Sequence, residues 1–193
     1  MLKKDHFERL GGHAKRLIAA LTFSRSDGGL QLSVPSRMQV DGYCCGLCSA
    51  RMVAEYHGAT IPAARVRRFA KQNPDGTETG AMVRFLRTNG MIVRRFSEGT
   101  AKIATILDAI LSGWPVIVSV PEHYLVVTGY DRKHFYVNDP ALLRSLSGRV
   151  SRSAFRRDWT REALIITGIR PRKRHKTAKR TKKRIMAKKK LTK

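Results

Sequence analysis

A change of hydrophobic period near residue 112 restricts the fold of this chain more than any other feature. Between Cys45 and Leu111 the apolar residues recur three and four apart, whereas from Val116 to Ile169 they gather in short runs rich in β-branched and aromatic residues. The first pattern belongs to helices buried on one face, the second to strands. A helix over Cys45–Tyr56 puts Met52, Val53 and Tyr56 on one face and stops at Gly58. A second opens at Pro62, which suits a first turn, and gathers Val66, Phe69 and Ala70. A third starts near Gly80 after an Asp75-Gly76 turn, faces Met82, Phe85 and Leu86 inward, and ends at Asn89-Gly90. Ile103, Ile106, Leu107, Ile110 and Leu111 form a fourth, closed by Ser112-Gly113. Strands are expected at Met91–Phe96, Val116–Val120, Tyr124–Tyr130, Phe135–Val137 and Leu164–Ile169, with Asp131-Arg-Lys-His as a hairpin connection. Helices first and strands later, without regular alternation, define an α+β domain.

At 193 residues the chain has room for one such domain and an appendage. Charge locates the appendage. Thirty-nine Lys and Arg against 14 Asp and Glu give +25, and residues 170–193 hold 14 of the basic side chains and no acid, leaving 25 − 14 = +11 on residues 1–169. A segment so charged and so poor in large apolar residues cannot bury a core, so 170–193 is expected to be a disordered basic tail. It would attract nucleic acid or an anionic membrane face in a salt-dependent way, through phosphates rather than bases, because no aromatic residue is interleaved. Residues 1–32 are expected to be a lead-in helix, His13–Phe23, and a linker containing Ser-Asp-Gly-Gly at 26–29. The domain proper is placed at 33–169. No apolar run is long enough for a signal core or a membrane span.

Cys44, Cys45 and Cys48 are the only cysteines. An odd number packed into five positions cannot staple distant loops, so a secreted disulfide scaffold is excluded and a reducing, cytoplasmic setting is expected. Cys45-Gly-Leu-Cys48 is also a Cys-x-x-Cys, but a structural zinc site wants four ligands and neither a second cysteine pair nor a close histidine pair exists. The chemistry that fits is nucleophilic. A cysteine in the first turn of a helix is favoured as the thiolate by the helix dipole and free N–H groups. Gly46 after it allows close approach, and Gln39 carries an amide able to donate to a developing oxyanion. His123 opens one predicted strand and Asp139 follows the next. In an antiparallel hairpin turning near Arg132-Lys133 these two ends lie side by side, giving a Cys45, His123, Asp139 arrangement. Asp131, at the turn, would sit at the wrong end of the sheet to replace Asp139.

The segment Gln39-Val-Asp-Gly-Tyr-Cys-Cys45-Gly-Leu-Cys-Ser-Ala-Arg-Met52-Val-Ala-Glu-Tyr56-His-Gly58 resembles the nucleophile segment of the bacteriocin-processing, double-glycine cysteine peptidases. These are papain-like domains fused to some peptide-exporting ABC transporters and also found free-standing. His123-Tyr-Leu-Val-Val-Thr-Gly-Tyr-Asp131 and Val137-Asn-Asp139-Pro140 resemble the family's histidine and aspartate segments in the same order, and Asp75-Gly-Thr and Phe155 to Trp159 extend the likeness to about residues 33–168. The resemblance implies a papain-like fold, with its helical part packed on an antiparallel sheet, in a free-standing form without the transporter. It implies peptide hydrolysis without metal or cofactor: Cys45 as nucleophile, His123 as base then acid, Asp139 orienting the imidazole and Gln39 at the oxyanion. A peptide or protein cleaved after Gly-Gly or other small residues is the substrate it points to. Two departures stand out, Cys44 where the family usually has an acid and Arg51 where it usually has a small residue. A reading from a different class is a nucleic-acid-binding protein that uses the basic tail on an inert peptidase fold.

Overall fold

The computed structural model describes residues 21–22, 29–39, 43–71, 76–141 and 147–170. In chain order the elements are β1 (Leu21–Thr22), β2 (Leu30–Leu32), α1 (Cys45–Tyr56), α2 (Ala63–Ala70), α3 (Thr79–Thr88), β3 (Met91–Phe96) and α4 (Ile103–Leu111). They continue with β4 (Val116–Val120), β5 (His123–Tyr130), β6 (His134–Asn138), β7 (Ser147–Ser151), α5 (Arg152–Asp158) and β8 (Ala163–Ile169). The expected helices and strands between residues 45 and 170 therefore form, each within two residues of its predicted ends. Leu111, read as part of the inward row, instead ends α4 largely exposed.

All strand pairs are antiparallel, in one sheet ordered β1-β2-β5-β4-β8-β3, with β6 and then β7 added on the other edge of β5. β5 is the hub, paired along its first half with β4 and at its end with β2. That takeover needs glycine at 129. A Cβ there would fall against the Leu30 carbonyl oxygen and 2.7 Å from Gln31 Cα, so any side chain would push β2 away.

Helix α1 is a poor helix on propensity: its first turn is Cys-Gly-Leu-Cys, and no N-cap side chain bonds to it. With no cap on a backbone N–H, it is held by burial instead. Nine of its residues are buried, Leu47, Met52 and Val53 completely, against β5 and α3. At about 1.5–3 kcal/mol for each large apolar side chain, this packing outweighs the missing cap by several-fold. The core continues through Met82, Phe85 and Leu86 of α3, Ile106 and Ile110 of α4, and Val116, Ile117, Val126 and Val127 of the sheet.

Three expectations meet a different outcome or fall outside the described residues. Most of the expected helix His13–Phe23 is outside them, but Leu21 and Thr22 pair with Gln31 and Leu32 as strand. Leu30–Leu32, expected as linker, belongs to the sheet, because it covers the edge of β5 that β4 leaves free. Asp75 and the basic segment 171–193 also lie outside. Among the described residues no helix is long and apolar enough to cross a membrane.

Candidate active site

Cys45 begins α1, and the Cys44 side chain at the N-cap makes no capping hydrogen bond to a backbone N–H of the helix. The first intrahelical bond runs from Cys48 N–H to Cys44 O, so the N–H groups of the first turn, that of Cys45 included, point out of the helix start without an intrahelical acceptor. Cys48 turns away from Cys45: its sulfur lies 3.7 Å from Cys44 Sγ and 3.7 Å from Met38 O. No disulfide joins the three cysteines, and among the described residues no group of three or more His, Cys, Asp or Glu is placed to hold a metal ion. Ser49 donates to Tyr124 O at 3.4 Å, tying α1 to β5 one residue from His123.

His123 and Asp139 do meet. Nε2 of His123 lies 2.7 Å from Asp139 Oδ1, which also accepts the Ala141 N–H at 2.9 Å. With Nε2 so occupied, the second ring nitrogen is left for Cys45. The hydrogen bonds of the ring to Asp139, first, and Cys45, second, push the His123 pKa up to about 9 against the opposing effect of burial.

The strand register explains why the carboxylate is on the correct side. Tyr130 faces Phe135 and Gly129 faces Tyr136, but beyond a bulge at Thr128 the partners become Val127 and Val137, then Val126 and Asn138. Continuing that register sets Asp139 opposite Leu125, on the face that His123 shares. Without the extra residue Asp139 would oppose Val126 and point to the other face, because one step of register inverts a strand. The hairpin reading from sequence was sufficient to bring the ends together, yet it is the bulge that sets the phase.

Asp131, the competing carboxylate, is committed elsewhere. It is buried, which alone would raise its pKa, but the Lys133 and His134 N–H groups at 2.6 Å and the Tyr136 hydroxyl at 2.8 Å hold it well below the usual carboxylate range. It builds the β5–β6 turn.

Gln39 is buried beside the segment that follows β6. Its N–H donates to Pro140 O at 2.8 Å, next to Asp139, and its Oε1 is buried without a hydrogen-bond partner among the described residues. Two further ties fix the incoming segment: Asn138 Nδ2 donates to Val34 O at 2.9 Å, and Glu55 of α1 bridges Arg37 and Arg51, each at 2.8 Å. The unusual Arg51, through Glu55, thus helps clamp the segment that leads to Gln39.

Sequence reasoning missed the group behind the thiol. Thr79 Oγ1 donates to Glu162 Oε2 at 2.7 Å, so the Tyr124 hydroxyl, 2.6 Å away, is the donor to Thr79. Arg95 pairs with Glu162 at 3.3 Å. This chain of bonds presses the Tyr124 ring against Gly46, where an added Cβ would lie 3.2 Å from the ring and 3.3 Å from Met82 Sδ. The small size of Gly46 therefore serves packing against Tyr124, whereas the sequence suggested room for a substrate. Partners separated by 45 and 83 residues leave no local signal. Tyr43, Cys45, Gly76, Thr77, Glu78, Glu122 and Tyr124 line a cleft of about 290 Å³.

The chain is similar to several known proteins. The profile described as Peptidase C39 family matches residues 33–169. The transport/processing ATP-binding protein ComA of Streptococcus pneumoniae is 30% identical over 148 residues, covering 74% of this chain and 20% of that protein. The pediocin PA-1 transport/processing ATP-binding protein PedD of Pediococcus acidilactici is 28% identical over 136 residues, 66% of this chain and 18% of that one. The chain thus spans about a fifth of the length of these curated relatives. Among solved structures, the peptidase domain of Streptococcus ComA superposes with a TM-score of 0.60 at 26% identity, covering 69% of this chain and 97% of that domain. A double glycine motif protease from an AMS/PCAT transporter, solved with its leader peptide, gives 0.56 at 22% identity, covering 76% and 96%. The fold, with a cysteine opening its central helix, is that of a papain-like cysteine peptidase. The chain belongs to the Peptidase C39 family.

Proposed function

We propose that this protein hydrolyses peptide bonds after Gly-Gly or other small residues, using Cys45, His123, Asp139 and Gln39. Cys45 attacks the carbonyl carbon as the thiolate, its proton held by His123. Collapse of the tetrahedral adduct releases the amine, which takes that proton, and leaves a thioester. His123 then deprotonates a water that cleaves the thioester and restores the thiol. Asp139 keeps the imidazole oriented, and the Cys45 N–H with the Gln39 amide receives the oxyanion. The observation that carries the reading is the imidazole of His123 held between Asp139 and Cys45. The Gly-Gly preference rests on the family and on the printed identity of the structural neighbour solved with its leader peptide. We place the activity in the cytoplasm, where the three thiols, none in a disulfide, stay reduced.

Incubation with peptides carrying an internal Gly-Gly, followed by mass spectrometry, tests the proposal. Cleavage after the second glycine that disappears in Cys45→Ala is expected. Cleavage that survives Cys45→Ala would refute the assignment. The basic segment supports a second activity, nucleic-acid contact, because 14 basic residues and no acid occupy 170–193. It is compatible with the first.

A further inference from the structure

The cleft beside Cys45 has a charge opposite to that of the chain. The protein carries +25, yet the residues lining this cleft include two carboxylates, Glu78 and Glu122, and no Lys or Arg. Both carboxylates are exposed, and neither forms an ion pair among the described residues. Glu162, a little deeper, is by contrast consumed by Thr79 and Arg95.

Two further observations point to a ligand here. Thr77, 6% exposed, lines the same cleft, and its Oγ1 is buried without a hydrogen-bond partner among the described residues. A hydroxyl in that state is satisfied by a peptide N–H or C=O laid into the cleft. Glu122 occupies the two-residue turn Pro121-Glu122 between β4 and β5 at φ +58°, a conformation that glycine or asparagine adopts with less strain. A turn that needs only its backbone would do better with glycine; glutamate adds a carboxylate directly before His123.

We propose that this cleft selects substrates with a Lys or Arg side chain within three residues of the scissile bond: Thr77 bonds the substrate backbone, and Glu78 and Glu122 receive the cation. The proposal rests on the reading that Cys45 acts on peptides. It also resolves an electrostatic conflict. A chain of this net charge repels cationic peptides at long range, so accepting one requires local carboxylates at the point of contact. Among the described residues no third His, Cys, Asp or Glu is placed with these two carboxylates to hold a metal ion, and a carboxylate pair suits an ammonium or guanidinium.

The test uses N-acetylated, C-amidated Gly-Gly peptides in which a single Lys, Ala or Glu is walked through the residue before the pair and the three after it. Turnover is measured with the full-length protein, and binding, by fluorescence anisotropy, with Cys45→Ala. The expected result is a Lys-over-Glu preference of about tenfold in kcat/KM and in affinity at one or two positions, from two exposed charge contacts. It shrinks to less than about threefold in E78Q/E122Q and with added salt. Equal handling of Lys and Glu peptides overturns the proposal while leaving the peptidase reading intact. So does a preference that E78Q/E122Q retains, or one that appears only when the peptide's own α-amine is left free. A charge preference in binding without cleavage of any peptide supports the cleft and contradicts the peptidase reading.

Discussion

At the residue scale the account turns on His123. Its pKa is raised to about 9 by Asp139 first and Cys45 second, so the imidazole stays protonated through neutral pH when the pair is intact. A raised folded-state value adds stability that is complete below the ordinary pKa near 6.5 and is lost as pH rises through about 9. Thermal unfolding from pH 6 to pH 10 is expected to show Tm falling over that window in wild type, with a weaker fall in Asp139→Asn. Turnover should have an alkaline limb near pH 9 that moves to lower pH in the same variant. A limb that does not move would count against Asp139 as the orienting group. Asp131 works in the opposite sense. Its folded-state pKa is depressed, so its contribution is complete above the ordinary value of 3.8 and is lost as the solution becomes more acidic. Asp131→Ala should destabilise the fold by about 2–4 kcal/mol, since it strips the acceptor from two N–H groups and a tyrosine hydroxyl. Urea unfolding measures this.

At the scale of elements, the site depends on β5 meeting three neighbours at once. Gly129→Ala puts a methyl into the Leu30 carbonyl and Gln31 backbone. We expect a loss of about 2–3 kcal/mol in urea unfolding, because backbone cannot move aside as a flexible side chain would. Thr79→Val removes both the acceptor for Tyr124 and the donor to Glu162 while keeping the shape of the side chain. It should cost about 1–3 kcal/mol. It should also lower kcat/KM more than it raises KM, since the Tyr124 ring beside the thiol is no longer pinned.

These elements also mark what could be read from the sequence. The helices and inner strands from 45 to 170 were legible because each buries a regular apolar row, and the hairpin joining His123 to Asp139 followed from its turn residues. β2 was not legible: three residues between Gly-Gly and Ser-Val-Pro hold too little pattern, and only the free edge of β5 makes Leu30–Leu32 a strand. β7, Ser-Gly-Arg-Val-Ser, is an edge strand paired only with β6, so no alternating core face betrays it. α5 buries Phe155 alone. In the site, Cys45, His123 and Asp139 could be nominated from their segments, whereas the bulge at Thr128 and the Tyr124–Thr79–Glu162 chain arise from long-range packing that leaves no local pattern.

At the scale of the whole molecule, charge and catalysis are separable. The sheet and helices of 30–170 contain the site, while 14 of the basic residues lie in 170–193. Removing 171–193 should leave turnover of a short uncharged Gly-Gly peptide within about twofold. It should abolish most of the salt-dependent affinity for single- or double-stranded DNA, measured by anisotropy at two ionic strengths. Undiminished DNA binding by the shortened protein would instead locate the contact on the basic surface of the domain.

The central claim, that His123 activates Cys45, is tested most directly by the pH dependence of iodoacetamide alkylation, with the labelled cysteine mapped by mass spectrometry in wild type and His123→Ala. Selective labelling of Cys45 well below pH 8, strongly suppressed in His123→Ala while Cys44 and Cys48 stay unlabelled, is the predicted result. Labelling of the three thiols at similar rates, with the same pH profile in both proteins, would contradict it.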